Sequence, residues 1–253
     1  MTFRRASLRK TFVTAVLVAA TAATALAQRG GSYNSYSGNQ RYDGKFVFVR
    51  MSYPDFSRSQ ARWAHDWPIG EEQFMRILTG VSNVVGHVME HNIMDFNDPD
   101  IFKFPVIYLC EPGFWGLSDA GSVALKAYLQ KGGFMIVDDF HINDWSNFEA
   151  QMSRVFPEAK WFPVDVKHPI FHSFFEIDDP YSIVNHYDRA NNSHPLFRAM
   201  FEDNDPNKRM LVMANYNTDI SEYWEYAAEG YQMVGTNDAY KIGVNEFIYA
   251  ITH

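Results

Sequence analysis

Asp138, Asp139 and His141 follow the apolar run Phe134-Met135-Ile136-Val137, so two carboxylates and an imidazole stand at the end of what reads as a buried strand. Three chemistries are open to this trio. Carboxylate and imidazole ligands suit zinc, manganese or iron, and Glu111 is a further candidate for a divalent-metal set of Asp138, Asp139, His141 and Glu111. Crowded carboxylates push one another's pKa values apart and can form an acid–base pair. The trio can also be structural. Successive side chains of an extended segment point oppositely, so one Asp can cap a helix near Asn143 while the other meets solvent.

The other reactive residues are sparse. Cys110 is the one cysteine of the chain, which excludes an internal disulfide. As a nucleophile it would need a lowered pKa, and Glu111 beside it works against a thiolate. Its other reading is a small buried residue at a strand end. His168 and His172 are four apart, a spacing that zinc sites use on helices. Pro169 puts His168 at or before a helix start, so the pair reads better as turn residues.

Four apolar runs position these groups: Phe46–Val49, Val106–Leu109, Phe134–Val137 and Met210–Ala214. Continuous rather than alternating hydrophobicity means that both faces of each strand are covered, as in a parallel sheet. Helical stripes lie between them. Phe74, Ile77, Leu78, Val81, Val85 and Val88 share one helical face. Ser118 and Asp119 can cap a second helix, with Leu125, Tyr128 and Leu129 inward and Gly132-Gly133 as its stop. Phe148, Met152, Val155 and Phe156 make a third stripe, ended by Pro157, and Val244, Phe247, Ile248 and Ile251 a last one. Strands alternating with helices imply an α/β fold, doubly wound, with a mostly parallel sheet and helices on both faces.

In such sheets ligands bind beyond the carboxyl ends of the strands. The strand ends bring Arg50, Ser52 and Tyr53, then Cys110 and Glu111, then Asp138, Asp139 and His141, then Asn215, Tyr216 and Asn217, toward one edge. The polar loop after the first strand adds Trp63 and His65-Asp66-Trp67. The ligand-pocket candidates are therefore Glu111, Asp138, Asp139, His141, Arg50, Tyr53, His65 and Asn215. Trp63, Trp67 and Trp115 can stack on a sugar ring or simply cover the core. The segment Glu222–Glu229 reads as an acidic aromatic helix with its charges toward water. HP[IL]FxxxFE occurs twice, from His168 and from His194, and each copy reads as a helical turn opened by proline.

The start of the chain carries an address. Arg4, Arg5, Arg9 and Lys10 precede the apolar stretch Phe12–Ala23, and Ala25-Leu26-Ala27 fits a cleavage site. Residues 1–27 read as a secretory signal, with Arg4-Arg5 hinting at twin-arginine export and an uncleaved anchor as the alternative. Residues 28–44 read as a flexible linker, and residues 45–253 as one domain. Loss of the segment, with four positive and no negative charges, moves the net charge from −8 to −12. That excludes a nucleic-acid partner and anionic lipid docking, which both need clustered Lys and Arg. The expected partner is a small molecule or carbohydrate of unknown identity, with no stable membrane insertion after cleavage. At 47% hydrophobic and 16% aromatic residues, the chain has ample material for one core.

KFVFVRMSYPDF, FPVIYLCEPGFWGLSDAGSVALKAYLQKGGFMIVDDFH, KHPIFHSFF and KIGVNEFIYAITH together resemble a bacterial family known as domain of unknown function 4159. Its more specific parts here are the stretch from Gly132 to His141 and Lys241-Ile242-Gly243-Val244-Asn245. The resemblance implies a flavodoxin-like, class I glutamine amidotransferase-like fold, similar also to trehalose-utilisation-type proteins, and no reaction. Amidotransferases of that fold carry a Gly-x-Cys-x-Gly elbow. The turn here reads Val137-Asp138-Asp139-Phe140-His141, so the resemblance implies no thiolate chemistry at that position.

Two readings of function follow. One is an exported, non-catalytic ligand-binding or scaffolding domain of the cell envelope. The other is a metal-assisted hydrolase directed at a carbohydrate or related envelope substrate, built on Asp138, Asp139, His141 and Glu111.

Overall fold

The computed structural model describes residues 38–54, 61–185, 194–230 and 233–253. The expected signal, its cleavage point and residues 28–37 of the expected linker lie outside them. Seven strands form one sheet: β1 (Phe46–Ser52), β2 (Gly86–Asp95), β3 (Val106–Cys110), β4 (Phe134–Asp138), β5 (Phe162–Pro163), β6 (Leu196–Phe201) and β7 (Met210–Tyr216). Their spatial order is β2-β1-β3-β4-β7-β6-β5. The first five in that order run parallel, whereas β6 pairs antiparallel with both β7 and β5.

The four apolar runs are the four central strands, and the two halves of the core explain why they do not alternate. Phe48, Tyr108, Ile136 and Met213 face one side of the sheet, covered by α1 (Ile69–Val81), α4 (Ile220–Ala228) and α5 (Thr236–Thr252). Val49, Leu109, Val137 and Ala214 face the other, covered by α2 (Asp119–Gln130) and α3 (Asp144–Val155). Apart from Phe46, Ser52 and Tyr216 at strand ends, every position along these strands is therefore buried, on one side or the other. The α/β architecture with helices on both faces is as expected.

Helix ends follow local chemistry. Ser118 accepts a hydrogen bond from the Gly121 amide and caps α2, which Gly132 (φ +108°) ends. On the opposite face, Phe74 of α1 stacks on Trp224 of α4 at 4.4 Å. Gly243 lets α5 approach that pair, since a Cβ there would lie 2.5 Å from Trp224 and 2.9 Å from Phe74.

Three expectations are corrected. The helix through Phe74 stops at Val81, where Ser82 turns to extended backbone (φ −120°, ψ 177°) and its hydroxyl joins its amide on the Leu78 carbonyl. Val85 is exposed and Val88 belongs to β2, so their helical phase is coincidental. Polar residues fill β2, an edge strand, and this concealed it. The two HP[IL]F copies also part ways. Pro169–His172 is a 3₁₀ turn capped by His168, but Pro195 precedes strand β6. His168 accepts from the Ile170 amide and His172 faces Glu176 and the Val166 carbonyl, so the two imidazoles have separate partners. Third, Glu222 is buried rather than facing water. Residues 38–44, within the expected linker, lie along the sheet edge: Asn39 bonds to Ile93, and Gln40 to Asn92. Among the described residues no helix is long and apolar enough to cross a membrane.

Candidate functional site

The strand order reverses between β1 and β3, the point at which an open α/β sheet forms a crevice beyond its carboxyl ends. Polar residues crowd there in a backbone conformation that L-residues rarely adopt. Asp66, Glu111, Asp139 and Asn217 have φ of +60°, +49°, +58° and +63°. Glu111, Asp139 and Asn217 each follow directly on a strand, β3, β4 and β7. Left-handed non-glycine residues cost stability, and such strain gathers at working sites.

His65 is the centre of the group. Its Nδ1 lies 2.9 Å from Asp139 Oδ2, 3.7 Å from Asp66 Oδ1 and 3.9 Å from Glu111 Oε1. Its side chain is 35% exposed, while those of Asp66, Glu111 and Asp139 are at most 4% exposed. One imidazole thus roofs three buried carboxylates. The bond to Asp139, reinforced by the charges of Asp66 and Glu111, pushes the His65 pKa up to about 10, so the ring is an imidazolium at neutral pH. Burial, then the Asp139 charge, pushes Glu111 up to about 7; Arg62, His65 and His141 pull it down. Burial raises Asp66 as well, and raises Asp219 well above the usual carboxylate range.

Arg50 positions this loop. It is fully buried, ion-paired through Nε to Glu71 of α1, and its Nη1 donates to the carbonyls of Trp63 (3.2 Å) and His65 (3.0 Å). Tyr53 braces the end of β3 by donating to the carbonyls of Cys110 (3.0 Å) and Glu111 (2.8 Å). Both residues therefore hold the backbone that carries the site, and the charge of Arg50 is matched by Glu71.

Asp138 and Asp139 diverge, as extended neighbours must. Asp138 accepts from Tyr108 Oη (2.6 Å), Thr218 Oγ1 (2.8 Å) and the amides of Ile220 (2.7 Å) and Ser221 (3.1 Å). It ties β4 to the N-terminus of α4. Burial pushes its pKa up to about 6 against the pull of those bonds. Asp139 turns the other way, to His65, the Cys110 thiol (3.4 Å) and Asn185 Nδ2 (3.4 Å). His141 sits half-buried on the same turn, its amide donating to Asp144 Oδ2 at 2.9 Å. Asn215 points elsewhere, donating to Glu246 of α5 at 3.2 Å.

Of the expected metal set, then, Asp139 faces the cluster, Glu111 borders it, and Asp138 has both oxygens engaged in the α4 cap. The atoms that do converge come from a different set. His65, Asp66, Cys110 and Asp139 each offer a ligand atom, all within 4.8 Å of one another. Cys110 is fully buried, and burial beside Asp139 raises its thiol well above the ordinary range, so it is no free nucleophile. Trp115 is buried between Phe96 and Phe148 and forms no outer wall. Arg62, Asp219 and Asp66 carry no role in the sequence analysis, which turns Glu222 toward water. Asp219 carried a signal: Asn-Thr-Asp before an apolar helix is a cap pattern, and Asp219 does accept from the Glu222 amide.

These features define a class: a mostly parallel α/β domain with a buried, strained acidic cluster at the carboxyl edge of its sheet. The chain matches the family model described as Domain of unknown function (DUF4159) over residues 45–251, and belongs to that family. No curated protein matches it.

Proposed function

We propose that this chain is an exported α/β domain that binds a cationic ligand at the carboxyl edge of β3 and β4, with no covalent step of its own. The observation that carries the reading is the mismatch of charge in a dry site. Asp66, Glu111 and Asp139 converge on the imidazolium of His65, Arg62 pairs with Glu111 alone of these carboxylates at 3.4 Å, and Asp219 and Glu222 stand behind them. Asp66 Oδ1, Glu111 Oε2, Asp219 Oδ2 and Glu222 Oε2 are buried and accept no hydrogen bond. Buried carboxylates are paired, protonated or bound to a cation, because an unpaired one costs several kcal/mol. Arg50 is held by Glu71 and Arg62 pairs with Glu111, so among the described residues Asp66, Asp139, Asp219 and Glu222 share the one charge of His65.

In the amidotransferase-like reading of the fold, the turn Val137-Asp138-Asp139-Phe140-His141 carries no nucleophilic cysteine. The buried protonated thiol of Cys110 does not replace that nucleophile, which favours binding over acyl transfer. Export rests on the basic start, short apolar stretch and Ala25-Leu26-Ala27.

Glu111 favours a second reading, metal-assisted hydrolysis of an envelope carbohydrate. It borders the four convergent ligand atoms, 3.9 Å from His65, where a base beside a metal-bound water would stand. Calorimetric titration tests the cation site, and a glycan assay separates the two readings. Mature chain titrated with a diamine, a quaternary ammonium and divalent metals should bind at least one of them, and Asp139→Asn should abolish that binding. No cation bound at millimolar concentration, or equal binding by Asp139→Asn, refutes the proposal. Release of reducing sugar from envelope glycans in the presence of a metal would favour the second reading.

A further inference from the structure

We infer that the cation is a divalent transition metal, zinc foremost, held by His65 Nδ1, Asp66 Oδ1, Asp139 Oδ2 and Cys110 Sγ. The inference rests on the cation-binding reading above and names its ligand.

The donor set selects the metal. Four oxygens would suit magnesium or calcium, but an imidazole nitrogen and a thiol sulfur beside two carboxylates suit a borderline-soft ion such as zinc. The ligands come from three segments. His65 and Asp66 lie in the loop after β1, Cys110 ends β3, and Asp139 follows β4. Nothing local makes these segments share a point. The tertiary fold does so, and left-handed backbone at Asp66 and Asp139 turns their carboxylates inward. Asp66 supplies the independent sign of a ligand. Its side chain is fully buried, Oδ2 accepts from Ser221 Oγ at 2.7 Å, the Glu225 carboxyl, pushed up to about 7 by burial and by Asp66, hydrogen-bonds to it, and Oδ1 is left facing His65 Nδ1 at 3.7 Å.

The spread is also right. Zinc–nitrogen and zinc–oxygen bonds of about 2.0–2.2 Å and a zinc–sulfur bond of about 2.3 Å put tetrahedral ligands roughly 3.3–3.8 Å apart. The four atoms here lie within 4.8 Å, so the longest gap closes by about 1 Å. Each ligand must be deprotonated to bind, so the ion displaces the Cys110 thiol proton and the Nδ1 proton, both to solvent. With two carboxylates and one thiolate around a divalent ion, the site carries one net negative charge. The remaining ligand contacts are already framed: the hydroxyl of Ser221 holds Asp66, Asn185 holds Asp139, and Arg50 holds the His65 carbonyl. Such outer partners orient metal ligands.

Cobalt makes the site visible. The mature chain, stripped with a chelator and dialysed, is titrated with cobalt(II) chloride and then with zinc chloride. One cobalt per chain should bind with tetrahedral d–d bands and a sulfur-to-cobalt charge-transfer band, and zinc should displace it. Cys110→Ser should lose the charge-transfer band while keeping the fold. His65→Gln and Asp139→Asn should each weaken binding more than about 100-fold, beyond the loss typical of an outer partner. Magnesium and calcium should not compete. Cobalt bound without the sulfur band, or with Cys110→Ser unchanged, overturns the ligand set. If zinc and cobalt fail to bind but an organic cation binds through Asp139, the metal assignment falls and the cation pocket stands. If none binds, both fall.

Discussion

Adjacent aspartates should behave in opposite ways when altered. Asp138→Ala strands the Tyr108 hydroxyl and the amides of Ile220 and Ser221, all buried donors to Asp138. Thr218 keeps a partner in the Asn215 carbonyl. Each buried donor left without an acceptor costs about 1–3 kcal/mol. Removing a buried carboxylate returns part of that, since burial already disfavours its charge. A net loss of about 3 kcal/mol is expected, a large share of the roughly 5–15 kcal/mol that holds a domain folded. Asp139→Asn is a different case. Asn tolerates the left-handed backbone, and the loss of the His65 ion pair is offset by relief of repulsion on Glu111, Asp66 and Asp219. Its cost should stay within about 1 kcal/mol, while cation binding disappears. Urea unfolding followed by circular dichroism, with equal slopes for all variants, measures both. Loss of under about 1 kcal/mol for Asp138→Ala, or equal losses for the two, would refute the division of labour between cap and site.

Other outcomes follow from the same geometry. In the metal-free chain, Asp138 and Glu111 have folded-state pKa values raised to about 6 and about 7, so the stability that their protonation supports is lost as pH climbs from about 4 to 7. His65, raised from 6.5 to about 10, contributes stability that is present below about 6.5 and lost toward 10. His91, which burial pushes down to about 4, gains stability as pH rises to about 6.5 and opposes the early part of this loss, so melting temperature should fall from pH 7 to pH 9, and a maximum near pH 8 would contradict these assignments. Arg50→Met breaks a buried pair and frees the Trp63 and His65 carbonyls, so it should cost about 3–5 kcal/mol by denaturant midpoint and weaken cation binding. Glu71→Gln should be milder, because the amide oxygen still accepts from Arg50. Intact mass of the exported protein should begin at Gln28, and a full-length membrane-bound product would overturn the expected cleavage.

The central strands were legible because each is apolar on both faces, and their ends lie at the edge where Asp139, Glu111 and His65 meet. What was hidden was hidden for physical reasons. β2 carries His87, Glu90, His91 and Asn92 on an edge, so it reads as no strand at all. β6 was masked by a proline that opens helices elsewhere in the same chain. In the site, the sequence could not show which of two neighbouring aspartates turns inward, since this depends on where α4 docks and which donors reach Asp138. Nor could it show that Asp66, nearly 75 residues from Asp139, shares its nitrogen partner, or that Glu222 is drawn under the cluster by α4. Those contacts belong to the packing of separate segments and leave no local pattern.

The cation site can be tested most directly in crystals grown with zinc and measured on both sides of the zinc absorption edge. An anomalous peak should stand among His65 Nδ1, Asp66 Oδ1, Cys110 Sγ and Asp139 Oδ2, with the sulfur about 2.3 Å away. Two surface pairs provide the contrast: His87 with Asp43 at 3.2 Å and His172 with Glu176 at 2.6 Å. Peaks at those pairs alone, with none at the carboxyl edge, would contradict the account.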